Sequence, residues 1–237
     1  MKEQLIKLKN ISKAVLTPIG FSYKSGHLLS SILGKAVDSS GNPIPMYTYP
    51  ALDFIQSKLD YLSDCKILEV GTGNSTLFWM QHVSEIVGIE KNEVWGNYIE
   101  DKKSSYNTQC QVSLKICKSQ TSFIQTINEL KEQEFNLFII DGVPYPKGSR
   151  YEAIQIILSS FNNINNIIVD NSDLSSVTPV LELLQKHGFS KIDFYGYSPG
   201  AYHKQCTSYL FNSLESNLCF PLNKGSVLSC SPKSLSN

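Results

Sequence analysis

The residue types best suited to chemistry stand close together in the run Ile67-Leu68-Glu69-Val70-Gly71-Thr72-Gly73-Asn74-Ser75-Thr76. An apolar, strand-like segment enters two glycines and leaves into a helix whose cap is Asn74 or Ser75. Glycine lets the backbone turn sharply and lets a ligand approach main-chain amides at a helix N-terminus. The next apolar run ends at Glu90, placed like the acids that accept hydrogen bonds from both ribose hydroxyls. Gly71, Thr72, Gly73, Asn74 and Glu90, with Lys91 beside it, therefore outline a nucleoside site at the carboxyl ends of strands. Thr76 stands where a dinucleotide fingerprint carries its third glycine, so close pyrophosphate binding is not expected. Glu69 would repel a phosphate but suits a cationic amine, or a water beside one.

A nucleoside with an amino-acid tail, S-adenosylmethionine, satisfies both facts. A second set of polar residues bears on what such a donor would react with. Asp141 ends one apolar run and Asp170-Asn171 end the next. Parallel neighbouring strands would bring all three to one sheet edge, where two carboxylates and an amide oxygen suit a hard cation such as Mg²⁺. The competing reading makes Asp141 a metal-free acid or base and Asp170-Asn171 a loop turn. Lys147 and Arg150 follow in a Gly/Pro-rich loop, either as anchors for an anionic substrate group or as solvated cations. His203 is a second candidate base, or a surface histidine. Tyr47 and Tyr49 form either an aromatic lid over substrate or a packing contact. Trp79 and Trp95 fall on helical patterns and read as core or adenine-side packing.

These residues need a sheet to hold them, and the chain has the pattern for one. Short β-branched runs at 66–70, 86–89, 111–117, 136–141, 165–170, 189–194 and 207–211 alternate with helical stretches at 75–82, 93–103, 121–132, 150–161 and 177–187. Runs such as FNLFII are apolar without alternation, as in strands covered on both faces. The expectation is a doubly wound, seven-stranded, mostly parallel α/β sheet, its last strand antiparallel because no helix separates it from the sixth. A helix is expected over 51–61. Residues 1–50 form a cap or lid, with a short amphipathic stretch at 5–16 and an extended proline-bracketed segment Gly41–Pro50. Residues 51–212 form the ligand-binding domain, and 213–237, rich in Ser and Asn, a loose tail.

Composition narrows the function classes. The 237 residues carry 21 Lys+Arg against 21 Asp+Glu, so the charge footprint of a dedicated nucleic-acid binder is missing. Apolar runs fall short of a membrane span, and the N-terminus has no secretory pattern. Six cysteines without CxxC spacing read as reduced thiols of a cytoplasmic protein.

Taken in order, KILEVGTGNSTLFW, IVGIEKNEVW, FNLFIIDG, IIVDNSD and the terminal hairpin resemble the successive motifs of class I S-adenosylmethionine-dependent methyltransferases. The likeness is strongest to a group with a GNPIPWYTYP segment and an E-x-G-x-G-N-S-T-L-x-W loop. Here Met46 replaces the Trp of that segment, and Lys91-Asn92 replaces a His-Asp pair. The resemblance implies a Rossmann-like methyltransferase fold, with Glu69, Gly71 and Gly73 bordering the methionine moiety and Glu90 holding the ribose. It also implies that Ser119 and Gln120 lie near the adenine edge. Catechol-type O-methyltransferases carry a similar Asp, Asp-Asn set in which a metal acidifies the accepting hydroxyl. The reading is then of an enzyme that methylates a small molecule on oxygen, with Asp141 or His203 as base and Mg²⁺ as an aid. Metal-independent N-methylation and a non-catalytic donor-binding module are the alternatives. Neither nucleic acid nor a membrane is expected as partner, and a homodimer is compatible with the sequence.

Overall fold

A computed structural model describes residues 2–106 and 108–212. Seven strands, β1 (Lys66–Val70), β2 (Glu85–Glu90), β3 (Gln111–Ile116), β4 (Leu137–Ile140), β5 (Asn166–Val169), β6 (Ser190–Gly196) and β7 (Gln205–Phe211), form one sheet. Its order is β3-β2-β1-β4-β5-β7-β6. Strands β1 to β5 pair in parallel, and β7 runs antiparallel to both β5 and β6, as expected from the missing helix between the last two. The order turns back at β1, which lies between β2 and β4. That reversal opens a crevice at the carboxyl ends of the strands, where ligands bind in open α/β sheets.

The helices are α1 (Lys2–Lys24), α2 (His27–Leu33), α3 (Tyr49–Gln56), α4 (Asn74–Trp79), α5 (Glu93–Lys103), α6 (Gln120–Leu130), α7 (Arg150–Ser160) and α8 (Thr178–Lys186). Side-chain alternation along β1 splits the core between two layers. Leu68 and Val70 pack with Phe123, Ile157 and Leu184 of α6, α7 and α8. Ile67 packs with Leu52, Trp79 and Ile99 of α3, α4 and α5 on the other face. Glu69 points to that second face and is fully buried there. All four residues of β4 and of β5 are buried, because helices cover both sides.

Two elements differ from expectation. The helix expected over 51–61 begins at Tyr49, where Pro50 suits the first turn, and stops at Gln56, with a 3₁₀ turn at Leu59–Tyr61. The amphipathic stretch at 5–16 extends to a helix ending at Lys24, with Pro18 inside it. The proline-bracketed segment runs extended up to α3 and is sewn to the far edge of the sheet. Thr48 N–H donates to Thr207 Oγ1 (3.0 Å), Thr48 Oγ1 to the Phe194 carbonyl (2.9 Å), and Tyr49 N–H to the Tyr197 carbonyl (2.9 Å). Cys65, Cys110, Cys117 and Cys206 are free thiols; Cys219, Cys230 and the expected tail lie outside the described residues. Among the described residues no helix is long and apolar enough to cross a membrane.

Candidate active site

The turn after β1 is built around Gly71, whose φ of 90° favours glycine. A Cβ there would also lie 2.4 Å from the Gly142 nitrogen, so the loops after β1 and β4 meet at van der Waals distance. Asp141 N–H and Gly142 N–H both donate to the Val70 carbonyl (3.0 and 2.8 Å), which fixes that crossing. The chain then enters α4, where Ser75 Oγ and Thr76 Oγ1 donate to the two oxygens of Glu69 at 2.5 and 2.6 Å. Burial drives the Glu69 carboxyl up to about 8, against the two hydroxyl bonds that favour its charged form.

Glu90 closes β2 and is buried by its own neighbourhood. One oxygen accepts from Thr72 N–H (3.1 Å) and Thr72 Oγ1 (3.2 Å), the other from Lys91 N–H (2.9 Å) and Asn92 N–H (2.8 Å). Thr72 reaches it by lying over Gly88, where a Cβ would sit 2.6 Å from its methyl group. The Trp95 indole donates to the Thr72 carbonyl at 2.5 Å and stacks on Tyr98 with ring centroids 5.0 Å apart. Glu90 thus has all four of its hydrogen bonds from the protein and lies outside the cleft lining.

At the adjoining strand ends the Arg150 guanidinium donates to the carbonyls of both Asp141 and Asp170. It staples the β4 and β5 loops together from the first residue of α7. Asp170 is buried and accepts at Oδ1 from Thr207 Oγ1 (2.7 Å), the same hydroxyl that receives Thr48 N–H. Burial lifts the Asp141 carboxyl above the usual range, with Arg150 pulling it back and Glu90 adding to the rise. Burial also lifts Asp170, and the charge of Asp141 lifts it further. Beneath these acids Tyr47 has no exposed surface at all, and its hydroxyl has no hydrogen-bond partner. Burial, then the charges of Asp141, Glu69 and Asp170, hold that phenol well above its ordinary pKa. The Trp79 indole N–H lies near enough to oppose the rise, yet it too misses hydrogen-bond geometry.

A cleft of about 380 Å³ opens over this arrangement, lined by Thr72, Gly73, Asn74, Ser75, Trp95, Asp141, Asp170 and Asn171. Its opposite wall comes from Lys35, Ala36, Met46 and Gln205. Asn74 Nδ2 donates to the Ala36 carbonyl (2.7 Å), which ties that wall to the glycine turn.

No family model and no curated protein matches the chain. Solved structures do. An O-methyltransferase from Bacillus cereus in complex with SAH matches with a TM-score of 0.57 at 17% identity, over 80% of this chain and 98% of that one. A precorrin-6Y C5,15-methyltransferase from Geobacter metallireducens GS-15 matches with a TM-score of 0.53 at 14% identity, over 75% and 98%. The fold is that of the class I methyltransferases. A precorrin-8W decarboxylase from Methanobacterium thermoautotrophicum shares it, with a TM-score of 0.50 at 16% identity over 75% and 96%. A methyltransferase and a decarboxylase thus share this fold, and the reaction has to be argued from the site.

Within this methyltransferase fold, the expected residues fall into two groups. Thr72, Gly73, Asn74, Asp141, Asp170 and Asn171 line one cleft; Gly71 adjoins them in the chain, Glu69 and Glu90 are bonded to Ser75 and Thr72 of the lining, and Tyr47 lies outside it. Arg150 joins them through its two carbonyl bonds rather than by offering a free guanidinium. Lys91 and Gln120 are exposed outside the cleft lining, and Ser119 is occupied as the cap of α6. Lys147, at a φ of 66°, and His203 are also exposed and outside it. Tyr49 packs edge-on to Phe21 of α1, ring centroids 5.1 Å apart, and borders a different cavity. The cleft wall at Lys35, Ala36 and Gln205 was not anticipated. Its one sequence signal was position 46, where the similar group carries Trp.

The donor set at the β4 and β5 ends does not fit a divalent ion well. Asp170 already accepts from Thr207, and Arg150, bonded to the carbonyls of both acids, supplies a cation beside them. Among the described residues no group of three His, Cys, Asp or Glu is placed to hold a metal.

Proposed function

We propose that the chain is an S-adenosylmethionine-dependent methyltransferase that methylates a hydroxyl of a small molecule. One observation carries the reading: the glycine turn at Thr72–Ser75 and the Asp141 carboxyl share a single cleft at the carboxyl ends of the strands. The main chain of Gly71–Asn74 would border the donor's amino-acid tail, with Ser75 relaying Glu69 to its amine. Glu90 would hold the ribose, and Trp95 would cover the base. The bound donor supplies an electrophilic methyl group on a cationic sulfur.

The protein's part is to place the acceptor in line and to take its proton. Asp141 faces the cleft, and its raised pKa brings it toward the range in which a carboxylate is an effective base near neutral pH. The acceptor oxygen gives its proton to Asp141 as it bonds carbon, and the sulfonium leaves as a neutral thioether. Asp170 next door keeps that proton within the acidic pair. Lys35 at the cleft mouth offers a cation to an anionic part of the acceptor.

Calorimetric titration with S-adenosylhomocysteine tests the reading. One site is expected, and Glu90→Gln should weaken it about tenfold or more, the loss of charge-assisted bonds to two hydroxyls. No heat with this ligand, tighter binding of NAD, or indifference to Glu90→Gln would overturn it.

A further inference from the structure

The helix α1 stands apart from the core. It meets α2 and is pinned near its end by Phe21 against Tyr49. From Ile6 to Ile19 every described side chain is exposed. Propensity alone does not account for such a helix, since Pro18 deletes one internal hydrogen bond and Ile11, Val15 and Ile19 are β-branched. At 100° per residue, Ile11, Val15, Ile19, Tyr23 and Leu16 fall in that order across an arc of about 140°, and each is more than half exposed. Lys9 and Lys13 border this strip on one side and Lys7 on the other, and no acidic residue occurs from Gln4 to Lys24. The strip continues onto α2 through the exposed Leu28, Ile32 and Leu33, beyond which Gly34–Ala36 reach the cleft.

We infer that α1 lies in the surface of an anionic lipid bilayer, its apolar strip among the upper acyl chains and its lysines at the phosphates. An apolar face edged by lysines without acids is the pattern of an in-plane membrane helix. Lysine stems can cover apolar surface while their ammonium groups reach the headgroups. A second copy of the chain fits less well, because pairing two such faces brings the lysine rows together. The inference is independent of the methyl-transfer reading. It revises the expectation of a chain without a membrane partner, without adding a spanning helix.

Co-sedimentation of the full-length chain with vesicles decides it. Phosphatidylcholine vesicles with about a third phosphatidylglycerol should retain the protein, pure phosphatidylcholine should not, and raised salt should release it. Lys9→Glu with Lys13→Glu should lower partitioning about 25-fold or more, about fivefold for each lysine. Ile11→Asp with Ile19→Asp should abolish retention while leaving the thermal melt unchanged, because both side chains lie outside the core. Absence of retention on anionic vesicles, or retention insensitive to these variants, overturns the inference. So does a change in oligomeric mass by light scattering with retention intact, which would assign the strip to a second copy.

Discussion

At the scale of single residues, the site is defined by polar groups held where water does not reach. Glu69 is satisfied by two hydroxyls, Glu90 by backbone amides and Thr72, and Asp170 by Thr207, whereas the Tyr47 hydroxyl has nothing. A buried hydroxyl without a partner destabilises the fold that carries it. Tyr47→Phe should therefore leave the protein as stable or more stable, by up to about 1 kcal/mol, in urea unfolding. A clear loss of stability would mean that the phenol has a partner, such as a bridging water.

At the scale of elements, the cleft depends on a segment and a strand that meet only in three dimensions. The extended run before α3 gives Thr48 N–H to Thr207 Oγ1, and that hydroxyl gives its proton to Asp170. Thr207 thereby links the cap, β7 and an acid of the candidate site. Thr207→Val keeps the shape but leaves a buried amide and a buried carboxyl each one bond short. It should cost about 2–3 kcal/mol in urea unfolding. A change of less than about 0.5 kcal/mol would show that water replaces both bonds. The turn after β1 is equally dependent on a distant partner, because Gly71 must be glycine partly to admit Gly142.

At the scale of the whole molecule, buried Glu69 and Asp170, with half-buried Asp141, set the pH dependence of folding. Glu69 has an ordinary value of 4.5 and is driven up to about 8, and Asp141 and Asp170 are displaced the same way. A group whose folded value is raised binds its proton more tightly in the native state. Its stabilisation is complete below its ordinary value and is lost as pH climbs through the raised one. Exposed Glu93 and half-buried Glu152 are shifted the other way by Lys118 and by Ser149, but solvent screens such surface effects. Urea midpoints should fall between pH 5 and pH 8, and Glu69→Gln should flatten the fall. A midpoint that rises over this interval would contradict the placement of these acids.

Much of this molecule was legible in its order of residues. FNLFII and NNIIVD read as doubly covered strands because a strand between two helix layers has no polar face to show. The neighbouring ends of β4 and β5 brought Asp141 and Asp170 together, since parallel strands finish at one edge. The glycine turn and Glu90 were visible for the same reason, as features local to one strand end. Partners distant along the chain were not legible. That Ser75 and Thr76 would cap Glu69, that Thr72 would close over Glu90 across Gly88, and that Arg150 would clamp two carbonyls depends on how α4, α5 and α7 dock. Tyr47 and Tyr49, two residues apart, went to the acid cluster and to α1 respectively. Sequence by itself determined the periodicities and the strand-end chemistry, because these follow from neighbours joined by the backbone. Tertiary structure decided which polar atoms are covered, which are paired and which face the cleft, because burial is a property of the packed whole.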